Sequence, residues 1–148
     1  VLEIKRLSLA DAHVLIEGAT RKCAEIGVPM CVAVVDESGN LIAFERMDGA
    51  KVLSVGLAQD KAFTAAVSRR PTHEYNKMCK PGNLVFGIHT SSGGRFSTVG
   101  GGYPVVVGDA IVGGIGLSGG AAEQDMEAAR AAIGHFQGRH GGLTKAAR

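Results

Sequence analysis

Apolar residues recur at Ala12, Leu15, Ile16, Ala19, Cys23 and Ile26, the spacing of one helix face. Ser8 stands ahead of them with Asp11 three residues on, an acidic capping box, and Gly27 with Pro29 stops the run. A helix over residues 9–26 is predicted, preceded at 2–7 by a short strand or an extended arm. The pattern then changes. Residues 29–36 (PMCVAVVD) are a β-branched apolar run, Glu37-Ser38-Gly39-Asn40 is turn chemistry, and residues 41–47 (LIAFERM) read as a second strand. Strands this close pair antiparallel, because a parallel return needs a crossover of about a dozen residues or more.

Asp48-Gly49-Ala50 breaks the second strand. A helix is predicted over 54–68, with Ala58, Ala62, Ala65 and Ala66 forming a small-residue face suited to close packing on a sheet. A short helical piece follows from Pro71 to about Met78 and ends at Pro81-Gly82. Residues 83–102 read as a long glycine-rich loop with room for a short strand at 84–86. Residues 103–107 and 110–117 form a second hairpin about Gly108-Asp109. A last helix starts at 118–120 with Met126, Ala129, Ile133 and Phe136 on its apolar face, and 136–148 reads as a frayed tail. The class is α/β (α+β): one domain, with an antiparallel sheet under helical cover.

The stretch GGIGLSGGAAEQD contains a literal G-x-G-x-x-G at Gly114, Gly116 and Gly119. A dinucleotide fold needs a further strand after the following helix. Only 28 residues follow Gly120, and they read as one helix and a polar tail. No Lys-Ser or Lys-Thr pair completes a phosphate-binding P-loop either. The glycines are therefore expected to let a helix cross close over a strand, with Gly119 and Gly120 making the turn. Their free N–H groups are an anion-binding candidate, in competition with Glu123 and Asp125 at the same helix start.

The 148 residues are 45% hydrophobic and 20% charged, enough for a core without disulfides or metals. A net charge of +2 with scattered basic residues argues against a nucleic-acid surface. No apolar run approaches the roughly 18 residues of a membrane span. Three cysteines, without a C-x-x-C, make a reducing cytoplasm the expectation, with export left open.

Three segments taken together, VVDESGNLIAFERMDGA, SVGLAQDKAFTAA and GGGYPVVVGDAIVGGIGLSGGAAEQDMEAARAAI, resemble the GlcG/HbpS family, relatives of the C-terminal domain of PduO-type proteins. The likeness covers residues of about 8 to 136. It implies a profilin-like three-layer α/β/α sandwich with a five-stranded antiparallel sheet, a homo-oligomer, and haem or a related tetrapyrrole as ligand. It also points to a histidine on the first helix as an iron ligand, for which His13 stands. His89, in the glycine-rich loop, is a second axial candidate on grounds of access. His73, His135 and His140 complete the histidines; the last two do not make a credible zinc site, and no metal site is expected.

Other residues suit a small acid. Arg46, in the R-M-D-G turn with Asp48, can clamp a carboxylate. Ser54 and Lys61 share a helix face, and a lysine with a lowered pKa suits a base or a Schiff base. Arg95 can reach a carboxylate or a haem propionate, and Glu123 can act as acid or base. A site is expected between the R-M-D-G turn, the start of the 54–68 helix and the 93–104 loop. Aromatic residues are only 5% and tryptophan is absent, which makes a large aromatic-lined slot hard to build. The reading taken forward is a small-ligand-binding protein, with haem as the ligand the resemblance implies. A catabolic isomerase, lyase or hydrolase using Arg46, Lys61 and Glu123, and a structural oligomeric accessory protein, stand as alternatives.

Overall fold

The computed structural model describes the backbone of residues 1–146 and the side chains of residues 1–140. Its elements are α1 (Leu9–Ile26), β1 (Cys31–Asp36), β2 (Leu41–Arg46), α2 (Val52–Ser68), α3 (Thr72–Met78), β3 (Gly102–Val107), β4 (Ala110–Ser118) and α4 (Ala122–Ala146), with 3-10 turns at Ile88–Thr90 and Ser92–Gly94. The sheet order is β2-β1-β4-β3, and every pairing is antiparallel. Helices α1 and α4 cover one face and α2 covers the other. No helix among the described residues is long and apolar enough to cross a membrane.

Strand β1 lies between two neighbours and two helical layers. Val32 and Val34 join the core under α1 and α4, while Cys31, Ala33 and Val35 join the core under α2. Burial on both faces explains why its sequence is a continuous apolar run rather than an alternation. The capping box at α1 forms as expected: the Ser8 hydroxyl accepts from Asp11 N (3.1 Å), and Ser8 N donates to Asp11 Oδ2 (2.8 Å). Gly27 closes that helix in the left-handed region at φ 70°.

Four strands form rather than the five implied by the resemblance. Neither spare segment joins the sheet. Residues 2–7 are an exposed arm that meets β4 through one backbone bond, Leu7 N to Val112 O (3.0 Å), with the Leu7 side chain buried as its plug. Leu84-Val85-Phe86 is not a strand but part of a turn: Asn83 Oδ1 accepts from Val85 N (2.9 Å) and Asn83 O from Phe86 N (3.0 Å). An asparagine that feeds its own backbone in this way competes with a ladder. At the other end of the chain, α4 continues through Ala146 with Phe136 buried in the core, where the sequence suggested a frayed tail from 136. Residues 147–148 of that tail lie outside the described residues.

The glycines of β4 do what the close-crossing reading expects. A side chain on Gly116 would overlap the Ala58 carbonyl oxygen, one on Gly102 would overlap that of Lys61, and one on Gly114 would stand 2.6 Å from that of Ala62. Helix α2 therefore rests on the sheet backbone to backbone, with Ala58, Ala62, Ala65 and Ala66 buried beneath it. Replacing Gly116 with Ala is expected to cost about 3 kcal/mol in urea unfolding, since neither backbone can yield. Gly134→Ala on α4, where nothing lies within 4 Å of the added methyl, is expected to stabilise by roughly 0.5–1 kcal/mol.

Candidate functional site

Lys61 projects from α2 into the protein and is fully buried. Its Nζ donates to Asp125 Oδ2 (2.8 Å) and to the Leu117 carbonyl (2.9 Å). Asp125 stands on the first full turn of α4, and its other oxygen accepts from Gly120 N (2.9 Å). The pair passes the end of the β3–β4 ladder, where Leu117 N bonds Gly101 O and where a side chain on Gly101 would stand 3.0 Å from the Lys61 Nζ. Burial pushes the Lys61 ammonium below its ordinary pKa, and Asp125 pulls it back up. Lys61 is thus placed against Asp125 rather than in an open pocket.

Arg46, Cys31 and Ser118 are direct neighbours across β2, β1 and β4. Over this row lies the start of α2, where the Ser118 hydroxyl donates to the buried Ser54 hydroxyl (3.0 Å). Burial raises the Cys31 thiol pKa, and the neighbouring Arg46 guanidinium opposes this. Arg46 itself is exposed and makes a long contact to Ala50 O (3.5 Å). Helix α2 begins at Val52 with Lys51 as N-cap, without a side-chain cap bond and with no acid in its first turn. Asp48 is exposed beside it. Of the expected set, Arg46 and Ser54 stand at the two ends of this row, and Asp48 lies in the turn that follows β2.

The rest of that set is dispersed. Arg95 stacks over the Phe63 ring at 3.9 Å, with its Nε 3.8 Å from Asp60. Its loop is tied to the helices by two threonines that the sequence reading missed. Thr64 Oγ1 accepts from Ser97 N (2.8 Å) and donates to Arg95 O (3.3 Å), and Thr72 Oγ1 donates to Val99 O (2.6 Å) while accepting from Gly102 N (3.0 Å). At the start of α4, Gly120 N is taken by Asp125 and Ala121 N by Gln124 Oε1 (2.9 Å), so the expected anion cradle at Gly119 and Gly120 is filled by the chain's own side chains. Glu123 is exposed there. Two further clefts flank the N-terminal arm, one lined by Leu7, Val107, Val112 and Phe136 and the other by Ile4, Ala66, Arg69 and Ile111, and neither lining includes a residue of the expected set.

His13 is exposed on α1. His89 is exposed in the 83–101 loop, and its Nδ1 lies 3.0 Å from Cys79 Sγ, a partnership that no sequence spacing announced.

Mixed α/β layering, an antiparallel sheet and the sealed lysine–aspartate pair at the ladder's end define a small single-sheet domain. The chain belongs to the HbpS-like family, described as haem degrading protein HbpS-like, which matches residues 7–134. It is 36% identical over 134 residues to an uncharacterized 15.0 kDa protein of Citrobacter freundii from the dhaT–dhaS intergenic region, covering 90% of this chain and 94% of that one. Among solved structures, Klebsiella pneumoniae ORFY superposes with a TM-score of 0.90 at 32% identity, covering 93% and 94% of the two chains. The PduOC–haem complex superposes at 0.84 with 36% identity, covering 88% and 94%.

The buried pair predicts a stability pattern. Lys61→Met and Asp125→Asn are each expected to lose about 3–5 kcal/mol, because each strands the remaining partner in the interior. The double change Lys61→Met/Asp125→Asn is expected to cost less than the sum of the two, which a double-mutant cycle in urea measures.

Proposed function

We propose that the chain binds haem or a related tetrapyrrole, with His13 or His89 as the iron ligand. The observation that supports this most directly is the likeness, over most of both chains, to PduOC, a protein crystallised with haem. The chain's own surface fits the requirements of such a ligand. A bound haem supplies an iron that takes an axial imidazole, and the rest of the ring needs apolar contact. His13 and His89 are both exposed, and Leu84 and Phe86 stand in solvent near the second of them. Arginines at the surface, Arg46 and Arg95 among them, provide the cations that propionates pair with. A homo-oligomer belongs to the same reading: with 5% aromatic residues, one chain covers little of a flat ring by itself, and a second copy adds surface.

The corner at the start of α2 favours a second reading. Exposed Arg46 beside an uncapped helix start that carries no acid suits a small carboxylate. Lys61 takes no part in it as placed, because its ammonium is already bonded to Asp125 and Leu117.

Titrating the purified chain with haemin is expected to give a saturable Soret shift, weakened at least tenfold in affinity by one of His13→Ala and His89→Ala. In a thermal-shift panel of small carboxylic acids, stabilisation that Arg46→Ala abolishes, without any Soret change, would favour the carboxylate reading.

A further inference from the structure

We infer that His89 is the iron ligand and that Cys79 is a positioning residue which sets its tautomer; this rests on the haem reading above. The five histidines differ in what their rings are free to do. His73 has its Nδ1 buried without a partner and its ring against Tyr103 at 5.8 Å. His135 is tied through Nε2 to Glu17 Oε2 (3.1 Å). His140 is stacked on Phe136 at 5.7 Å. His13 is exposed on α1, and among the described residues no group orients its ring. His89 combines one nitrogen held from within, the other on an exposed ring, and an aromatic neighbour.

Its mounting is specific. Cys79 caps α3, where its N–H bonds Tyr75 O (2.8 Å). His89 sits in the turn Ile88–Thr90, entered through Gly87 at φ 98° and closed by Ile88 N to Val85 O (3.1 Å) and Thr90 N to Gly87 O (2.9 Å). The two side chains meet at 3.0 Å, sulfur to Nδ1. The Phe86 ring stands 6.1 Å from the imidazole, and Leu84 and Phe86 are 105% and 53% exposed, an unusual outlay of apolar surface for one short turn. A flat apolar ligand carrying a metal fits this arrangement: the His89 imidazole would hold the metal, and Leu84 and Phe86 would supply apolar contact.

Cys79 decides whether Nε2 can ligate. When Nδ1–H donates to sulfur, the Nε2 lone pair points outward and is available to iron. When S–H donates to Nδ1, Nε2 carries the proton and is blocked. Ligation therefore selects the first tautomer, and the sulfur acceptor raises the basicity of the imidazole, as outer partners of metal-bound histidines do. Cys79 is also the thiol with solvent access; Cys23 and Cys31 are fully buried, and burial pushes Cys23 up to about 11.

The test is haemin binding to the whole chain and to His89→Ala, His13→Ala, Cys79→Ala and Cys79→Ser, read by Soret position, affinity and the reduction potential of the bound haem, with circular dichroism as the folding check. His89→Ala is expected to lose the imidazole-type spectrum, while His13→Ala keeps it. Cys79→Ala is expected to bind roughly 10–100-fold more weakly and to raise the potential, with Cys79→Ser restoring part of both. An unchanged spectrum in His89→Ala, with haem still bound, overturns the ligand assignment and leaves the haem reading standing. Unchanged affinity and potential in Cys79→Ala overturn the positioning role. Absence of any Soret shift in the unaltered chain overturns the haem reading and this inference with it.

Discussion

One ion pair holds the layers of this protein in register. Helices α2 and α4 lie on opposite faces of the sheet, and the sheet would ordinarily keep their side chains apart. Lys61 and Asp125 meet because the β3–β4 ladder ends at Gly102 and Gly101 has no side chain to fill the gap beyond it. Both charges are bonded further, Lys61 to the Leu117 carbonyl and Asp125 to the Gly120 amide. Two charges this deep gain little over an apolar pair of the same shape, but each is costly without the other. What the pair adds is position. It sets the end of β4, the first turn of α4 and the depth of α2 with a single contact, and the 95–102 loop is then tied down on the same helix layer through Thr64 and Thr72.

The close seating of α2 is the second constraint, and it complements the first. Backbone contact at Gly102, Gly114 and Gly116 brings the helix near enough for a lysine side chain to pass the sheet's end. A methyl group on those strands would lift the helix and pull Nζ away from its partners. The same seating leaves Ser54 facing Ser118 at one end of α2.

Most of this architecture was legible in the sequence because it is written in local chemistry. The Ser8–Asp11 box, the Gly27 stop, the turn before Leu41 and the alanine face of α2 each act within a few residues, and each predicts its own element. The glycines of β4 were legible as a close crossing for the same reason: in a strand they have no other use at that density. The Lys61–Asp125 pair was not legible, since 64 residues separate partners that only the assembled sheet brings together. Thr64 and Thr72 looked like ordinary helix polar residues, and their role appears only when the 95–102 loop lies over them. The fifth strand was expected from resemblance, and no segment among the described residues makes it: Asn83 turns one candidate on itself, and the arm offers the sheet a single bond. His89 was singled out for its access, but its partnership with Cys79 escaped for a different reason. Ten residues apart in a glycine-rich loop, they meet through the particular path of turns between them.

The packing also limits where a large ligand can go. Between α2 and the sheet the contact is backbone on backbone, so no flat ring enters there without lifting the helix and breaking the ion pair. On the other face, the core beneath α1 and α4 is filled by Leu15, Ile115, Leu117 and Phe136, all buried. Under the haem proposal a macrocycle would lie outside these two layers, without the enclosure that usually supplies affinity, and would depend on what the surface offers as anchor. An exposed imidazole held from behind, beside two apolar side chains left in water, is that kind of anchor. Tight packing of alanine against glycine leaves little room between the layers, and the 79–90 segment is where an imidazole, a thiol and an aromatic ring come together outside them.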